Sequence, residues 1–497
     1  MTKVVNVRPS STQAVSPDWT LPPSPFVAMA PLHRGAIVAV VLGAIAAVGL
    51  LQNLYPSGIP GLTSVWLALG LNGLLLVLPL VFSQPSFGWF HPLIFPIFLV
   101  FLDHFRRFGV YVTGLPWHEA LPGWSAASLT QILSQELWLQ AAGLAALYGG
   151  FFLAPTVRLP QVQFQQPAHL GRKTLLTVGL AAGIFAVYMQ TRGGIVSHIL
   201  SWGAGRNEAL AGAFYWQFFI QLGRIACLLW LTLDRRATAN PVFWGSTTLA
   251  ILMTFLSGGS RSSVIYFMLM GLMAWLLREQ KIDVVPIVTI MAVGLLAMGI
   301  LGNLRDSTYS GQIDWSALRG GGGATAQTEQ SALRTSLQEI SQRSSVNAGV
   351  FPILARVPHQ VDYLYGSSYL AVLTLPVPRA LWSAKPGLIA GRVGETFFGS
   401  NFGIPPGPVG EAYWNFGVPG VVLVFSVFGM FQKLLADTFV SYGQQPGAIV
   451  PYVLTLFLFS SPTGLMVIAW LMLLVPTLAY MAAIGAIRWG GKPGKLA

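Results

Sequence analysis

The sequence predicts an all-α polytopic membrane protein of about twelve transmembrane helices, with one large extracytoplasmic loop between the ninth and tenth spans. Three observations predict it. Of 497 residues, 54% are hydrophobic and only 9% charged, a surface no water-soluble fold of this length carries. Apolar runs near the ~20 residues needed to cross a bilayer recur along the chain. Lys and Arg collect on alternate connections between those runs, as insertion into a membrane demands.

Taken in order, residues 1–34 read as a disordered cytoplasmic tail. They contain Pro and Ser ahead of the first apolar run and lack the basic, apolar and small-residue layout of a cleaved signal peptide. Spans are expected around 35–54, 62–82, 88–104, 132–153, 174–190, 213–233, 241–258, 263–278 and 284–303, then 413–435, 447–461 and 464–486. The domain plan is therefore 35–303 for nine helices, 304–412 for an outer loop subdomain, 413–486 for three more helices, and 487–497 for a basic cytoplasmic tail. With both termini inside, fourteen Lys and Arg fall on cytoplasmic segments. Five fall on short outer loops: Arg106, Arg107, Arg192, Arg206 and Arg261. This asymmetry accounts for most of the net charge of +12, so no nucleic-acid partner is required. The lone Cys227 lies in an apolar run, which excludes an intramolecular disulfide and a cysteine metal site and reads as a buried structural thiol.

The outer loop holds eight basic and seven acidic residues, too balanced for a simple cationic patch. Leu333, Leu337 and Ile340 recur at helical spacing, as in an amphipathic helix on the membrane or over the bundle. Gly320–Gly323 is not followed by the Lys-Ser or Lys-Thr of a phosphate loop and reads as a linker or hinge.

Several residues sit where lipid accepts them only with a reason. Arg224, midway along the sixth span, costs about 2.5–3.5 kcal/mol on insertion scales and must face a polar interior. It shares a helix face with Gln217 and Gln221, as a site residue or as a tie to a neighbouring helix's carbonyls. Arg261 sits in FLSGGSRSS at a span mouth, in an anion pocket or as an interfacial snorkel. Arg206 lies toward the end of TRGGIVSHILSWGAGRNEALAG, a stretch too apolar for solvent and too polar for lipid that fits a re-entrant or interfacial segment. Its alternative is a local pair with Glu208. In SYLAVLTLPVPRALWSAKP, Pro376 and Pro378 stiffen the approach to Arg379, which either meets a ligand or stacks on Trp382. Glu411 is the only carboxylate of FGIPPGPVGEAYWNFGVPG. It lies at a membrane boundary, either to exchange a proton or to pair with one of these arginines.

Together, in order and on one membrane face, Gly193, Gly194 and Arg206, the Gly259–Arg261 turn, PRALWSAKP and GEAYWNFGVPG resemble the oligosaccharide repeat-unit polymerases, the Wzy-type O-antigen and exopolysaccharide polymerase family. The resemblance covers roughly residues 190–435. It implies a lipid-dependent membrane glycosyltransferase of GT-C-like architecture in the bacterial inner (plasma) membrane, working on the extracytoplasmic face. Such an enzyme transfers a growing glycan from undecaprenyl diphosphate to the sugar end of a new lipid-linked unit, with no cofactor and no metal. Membrane lipid, a chain-length regulator and a flippase are the partners it implies. The departing diphosphate falls to Arg206, Arg261 and Arg379, since guanidinium groups in a dry groove stabilise developing negative charge. Arg224 is a fourth candidate unless it lies too deep, and Arg343 a fifth that Glu339 is placed to neutralise. Glu411 is the first choice for the base that receives the acceptor's proton. His359 is the second, although a loop histidine is more often a bystander. An O-antigen ligase shares donor and architecture. A non-enzymatic flippase or transporter for lipid-linked sugars would also use many spans, but the crowding of distinctive residues at one face favours surface chemistry over alternating access.

Overall fold

The computed structural model describes residues 25–54, 62–82, 87–95, 125–157, 162–204, 213–259, 261–294, 349–374, 387–400, 403–442 and 445–489, with 377, 381, 382 and 385. Among these, six helices are long and apolar enough to cross a membrane, so the fold is that of an all-α membrane protein. The helical chain begins with α1 (Pro31–Leu54) and α2 (Leu62–Val81), followed by α3 (Ala126–Leu153). Next come α4 (Leu170–Thr191), the short α5 (Ile195–Ala204), α6 (Phe214–Leu233), α7 (Pro241–Gly258) and α8 (Arg261–Glu279). A shorter apolar helix spans Val284–Gly294. Most of the third expected span, the end of the ninth, and residues 304–348 with their amphipathic stretch lie outside the described residues.

Local chemistry sets the helix limits. Asn240 caps α7 by accepting a hydrogen bond from Val242 N, and Pro241 fits the first helical position, where no N–H is needed. Gly259 ends α7 in the left-handed region (φ 59°), which frees the chain to turn at once into α8. The expected interfacial stretch after α4 turns at Gly193 and Gly194, both at positive φ, and becomes α5.

Three short helices follow the undescribed stretch: α9 (Val350–Arg356), α10 (Ser367–Thr374) and α11 (Ile389–Phe398). The chain closes with α12 (Gly407–Tyr442), α13 (Pro446–Leu458) and α14 (Gly464–Ala483). The tenth span, expected from 413, thus starts at Gly407. It is broken at Phe416 and Gly417, whose backbone angles are not helical, just before Pro419. The 407–415 half lies close against the next turn: a Cβ on Gly420 would stand 2.5 Å from the Ala412 carbonyl oxygen.

Glycines also let helices meet closely. A Cβ on Gly150 of α3 would strike Ser426 O, and one on Gly429 of α12 would strike Leu147 O, the small-residue contact that lipid-embedded helices use in place of a hydrophobic driving force. Asn72 joins α2 to α3 by donating to Leu137 O at 2.9 Å.

The two ends of the bundle differ. At one end β1 (Val162–Phe164) and β2 (Ile487–Trp489) pair antiparallel, and Lys173 Nζ donates to Ile484 O at 2.8 Å. Tyr442 and Gln445 accept from the N–H groups of Val162 and Phe164. Inside the stretch expected to be tail, Phe26, Val27 and Met29 are buried in the core, and Ala28 bridges Gly88. Residue 280 reaches the same place, Gln280 Nε2 donating to Pro25 O. The other end carries α5, α9, α10 and α11 and the start of α12.

Candidate functional site

Among the described residues that the sequence nominates, Glu411 is the one built into a site. It lies in the 407–415 half of α12, wholly buried, and both carboxylate oxygens are engaged. Ser368 Oγ donates to Oε1 at 2.8 Å and Gly464 N donates to Oε2 at 3.0 Å. Gly464 opens α14, so the carboxylate caps a helix N-terminus, where the peptide dipoles favour negative charge. The absence of a side chain there makes the approach possible: a Cβ on Gly464 would sit 2.8 Å from Oε1.

Asn415, one turn after Glu411, ties the set together. Its Nδ2 donates to Glu411 O at 2.7 Å and to Ser368 Oγ at 2.8 Å, while its Oδ1 accepts from Gly366 N at 2.9 Å. Residues 364–365 run alongside the same half-helix, Leu364 N donating to Trp414 O and Tyr365 N to Asn415 O. Segments far apart in the chain therefore converge on one buried carboxylate, and an internal amide of this kind has both its donor and its acceptor satisfied.

Two further groups stand at this place. Tyr369, next to Ser368, has a buried hydroxyl with no hydrogen-bond partner among the described residues. Burial, and then the nearby Glu411 charge, push its phenol above the ordinary value. Arg392 of α11 donates from Nη1 to Ser367 Oγ at 2.9 Å, and its guanidinium lies 5.9 Å from the Trp414 ring centroid. Half-burial lowers the Arg392 pKa and Glu395 opposes that. Below the half-helix is a cavity of about 70 Å³ whose walls include Pro408, Pro462, Ser460, Ser461, Gln140 and Gln432. Gln432 Nε2 faces Phe459 O at 3.4 Å, and its Oε1 is buried with no hydrogen-bond partner among the described residues.

The other nominees fall elsewhere. Arg206, Arg343 and Arg379 lie outside the described residues, and of Arg261 only the backbone, at the first position of α8, is described. Arg224 is buried, donating from Nη1 to Ser263 O at 3.2 Å with its guanidinium 5.7 Å from the Phe267 ring centroid. Gln217 on the same face donates to Ser257 O at 3.3 Å, so this stripe ties α6 to α7 and α8. His359 is exposed in the turn after α9. Lys385 Nζ donates to Val377 O at 3.0 Å.

Sequence reading passed over Ser368, Tyr369, Arg392 and Gly464. Arg392 was visible as a charge in an outer-loop segment, whereas nothing local marks Ser368 or Gly464, whose roles depend on partners 43 and 53 residues away. No protein-family model, no curated protein and no solved structure matches the chain.

Proposed function

We propose that this chain is a membrane glycosyltransferase of the bacterial plasma membrane. With both termini cytoplasmic, it polymerises oligosaccharide repeat units carried on undecaprenyl diphosphate at the outer face. The observation that carries the reading is the Glu411 cluster: a buried carboxylate bonded by Ser368 and the Gly464 N–H, with Asn415 on the same serine and Tyr369 nearby, in the GEAYWNFGVPG segment on which the resemblance rests.

In the reaction, the acceptor sugar's hydroxyl oxygen bonds to the anomeric carbon of the donor glycan while Glu411 takes the hydroxyl proton. The bond from that carbon to the phosphate oxygen breaks, and its electron pair leaves with undecaprenyl diphosphate. Guanidinium groups offset that charge in the transition state. Arg206, Arg261 and Arg379 keep this role from the resemblance, and Arg392 joins them because it bonds Ser367, the neighbour of the Ser368 that bonds Glu411. Arg224 is set aside, since its donors serve a carbonyl and an aromatic face within the bundle. His359 stays the second candidate for the base. Glu411 is closed off in this conformation, so substrate entry requires the half-helix or α10 to shift, and the cavity under Pro408 gives the half-helix room.

The test is direct. Purified protein in vesicles, given undecaprenyl-diphosphate repeat units without nucleotide sugar or metal, is expected to yield a ladder of lengthened glycans. Authentic substrate that stays unextended refutes the reading.

A further inference from the structure

Helix α10 is patterned inside out. Its inward positions are small or polar, with Ser368 3% and Ala371 4% exposed, whereas Leu370 and Leu373 on the opposite stripe are 60% and 75% exposed. A helix that borders water buries its leucines and turns its serines outward; this one does the reverse. Tyr365, Leu381 and Trp382 in the flanking segments are exposed as well, and Trp and Tyr favour the membrane interface. From residue 363 to 388 the sequence holds no acid, and its two charges are Arg379 and Lys385, the sign that suits lipid phosphate. The helix also packs on α14, a candidate span with Leu465 and Val475 exposed, so its leucine face continues an exterior already turned toward hydrocarbon.

We infer that the outer face of Ser367–Thr374 is a lipid-contact surface seated in the leaflet at this end of the bundle, which makes α10 a wall between bilayer and Glu411. Its inner face supplies the Ser368 bond to Glu411, and Arg392 holds it through Ser367. One helix, about 10–12 Å across with its side chains, therefore separates the carboxylate from the lipid. The class of substrate admitted by this route is an amphiphile, with an apolar chain that stays in the leaflet and a hydroxyl-bearing or phosphate-bearing head that passes α10. That route rests on the glycosyl-transfer reading, while the lipid contact does not.

The chain's own cysteine assists the test. Cys227 is buried, so a nitroxide reagent applied to the full-length L370C or L373C protein marks the introduced site, and the unsubstituted chain is the control. In phosphatidylcholine and phosphatidylglycerol vesicles, the ratio of relaxation by oxygen to relaxation by a water-soluble nickel chelate is expected to be several-fold higher at both positions than at H359C in the exposed turn. Ratios at 370 and 373 equal to that at 359 would place the helix in water and overturn the inference. Labels shielded from both relaxers would overturn it too, because the face would then be covered by protein, either residues 295–348 or a second copy. The measurement needs no turnover, so an absent glycan ladder and a failed lipid contact are separate results.

Discussion

Glu411 and Arg224 are both charged groups buried in apolar helices, yet they are held in opposite ways. Glu411 is gripped by a serine from one short helix and by the first N–H of another, and Asn415 one turn on binds the same serine. Arg224 has one carbonyl and one ring, and among the described residues it is in no ion pair. A buried charge is expensive unless its surroundings are arranged for it. Where segments far apart in sequence commit to one group, the arrangement is a site. Where a long side chain reaches the nearest carbonyl, the group is a tie between helices.

The largest effect expected from this contrast is at Glu411. Replacing it with Gln or Ala should lower glycan extension by about 10²–10⁴-fold, the usual worth of a positioned acid or base, while the melting temperature in detergent shows a folded protein. A Glu411→Gln variant that keeps full extension would remove the carboxylate from the chemistry. Next is Gly464→Ala. Its methyl group meets Oε1 and displaces the carboxylate with its chemistry intact, for a loss of up to about 10²-fold; a rate equal to the parent's would show that the pinned geometry is irrelevant to turnover. Third, Gly429→Ala forces α3 and α12 apart at Leu147 O. It should cost about 1–3 kcal/mol of stability, read as a lower melting temperature with the rate per folded molecule preserved. That variant shows what a packing defect alone does, so the Glu411 losses can be judged against it. The smallest change belongs to Arg224→Met, which keeps volume and removes an unpaired buried charge. Stability should shift by no more than about 1 kcal/mol and the ladder persist; loss of the ladder from a folded Arg224→Met protein would return this arginine to the diphosphate set.

How much of this was legible beforehand differs between fold and site. The spans at 62–82, 213–233 and 241–258 were readable because each is a contiguous apolar run, a property of the sequence itself. The turn at Gly259 was readable too, since small residues act locally, whereas the stretch after Gly193 and Gly194 read only as a re-entrant or interfacial segment and its helix came from the structure. Glu411 stood out as a lone acid beside Tyr413, Trp414 and Asn415. The inside-out helix α10 was hidden, because SSYLAVLT reads as an ordinary apolar stretch until its neighbours reveal which stripe is covered. Arg224 could be marked as costly in lipid, but its remedy, the Ser263 carbonyl 39 residues on, could not be foreseen.

The sequence by itself determined that this is a membrane protein, which stretches are apolar and long enough to cross a bilayer, and which few polar residues fall in them, because hydropathy is summed along a contiguous stretch. Only the tertiary structure decided which of those residues met. The break at Phe416 and Gly417, the start of α14 and the placement of α10 bring a carboxylate, a serine and a helix end within 3.0 Å, and hydrogen bonds of that length depend on how helices pack rather than on what each prefers alone.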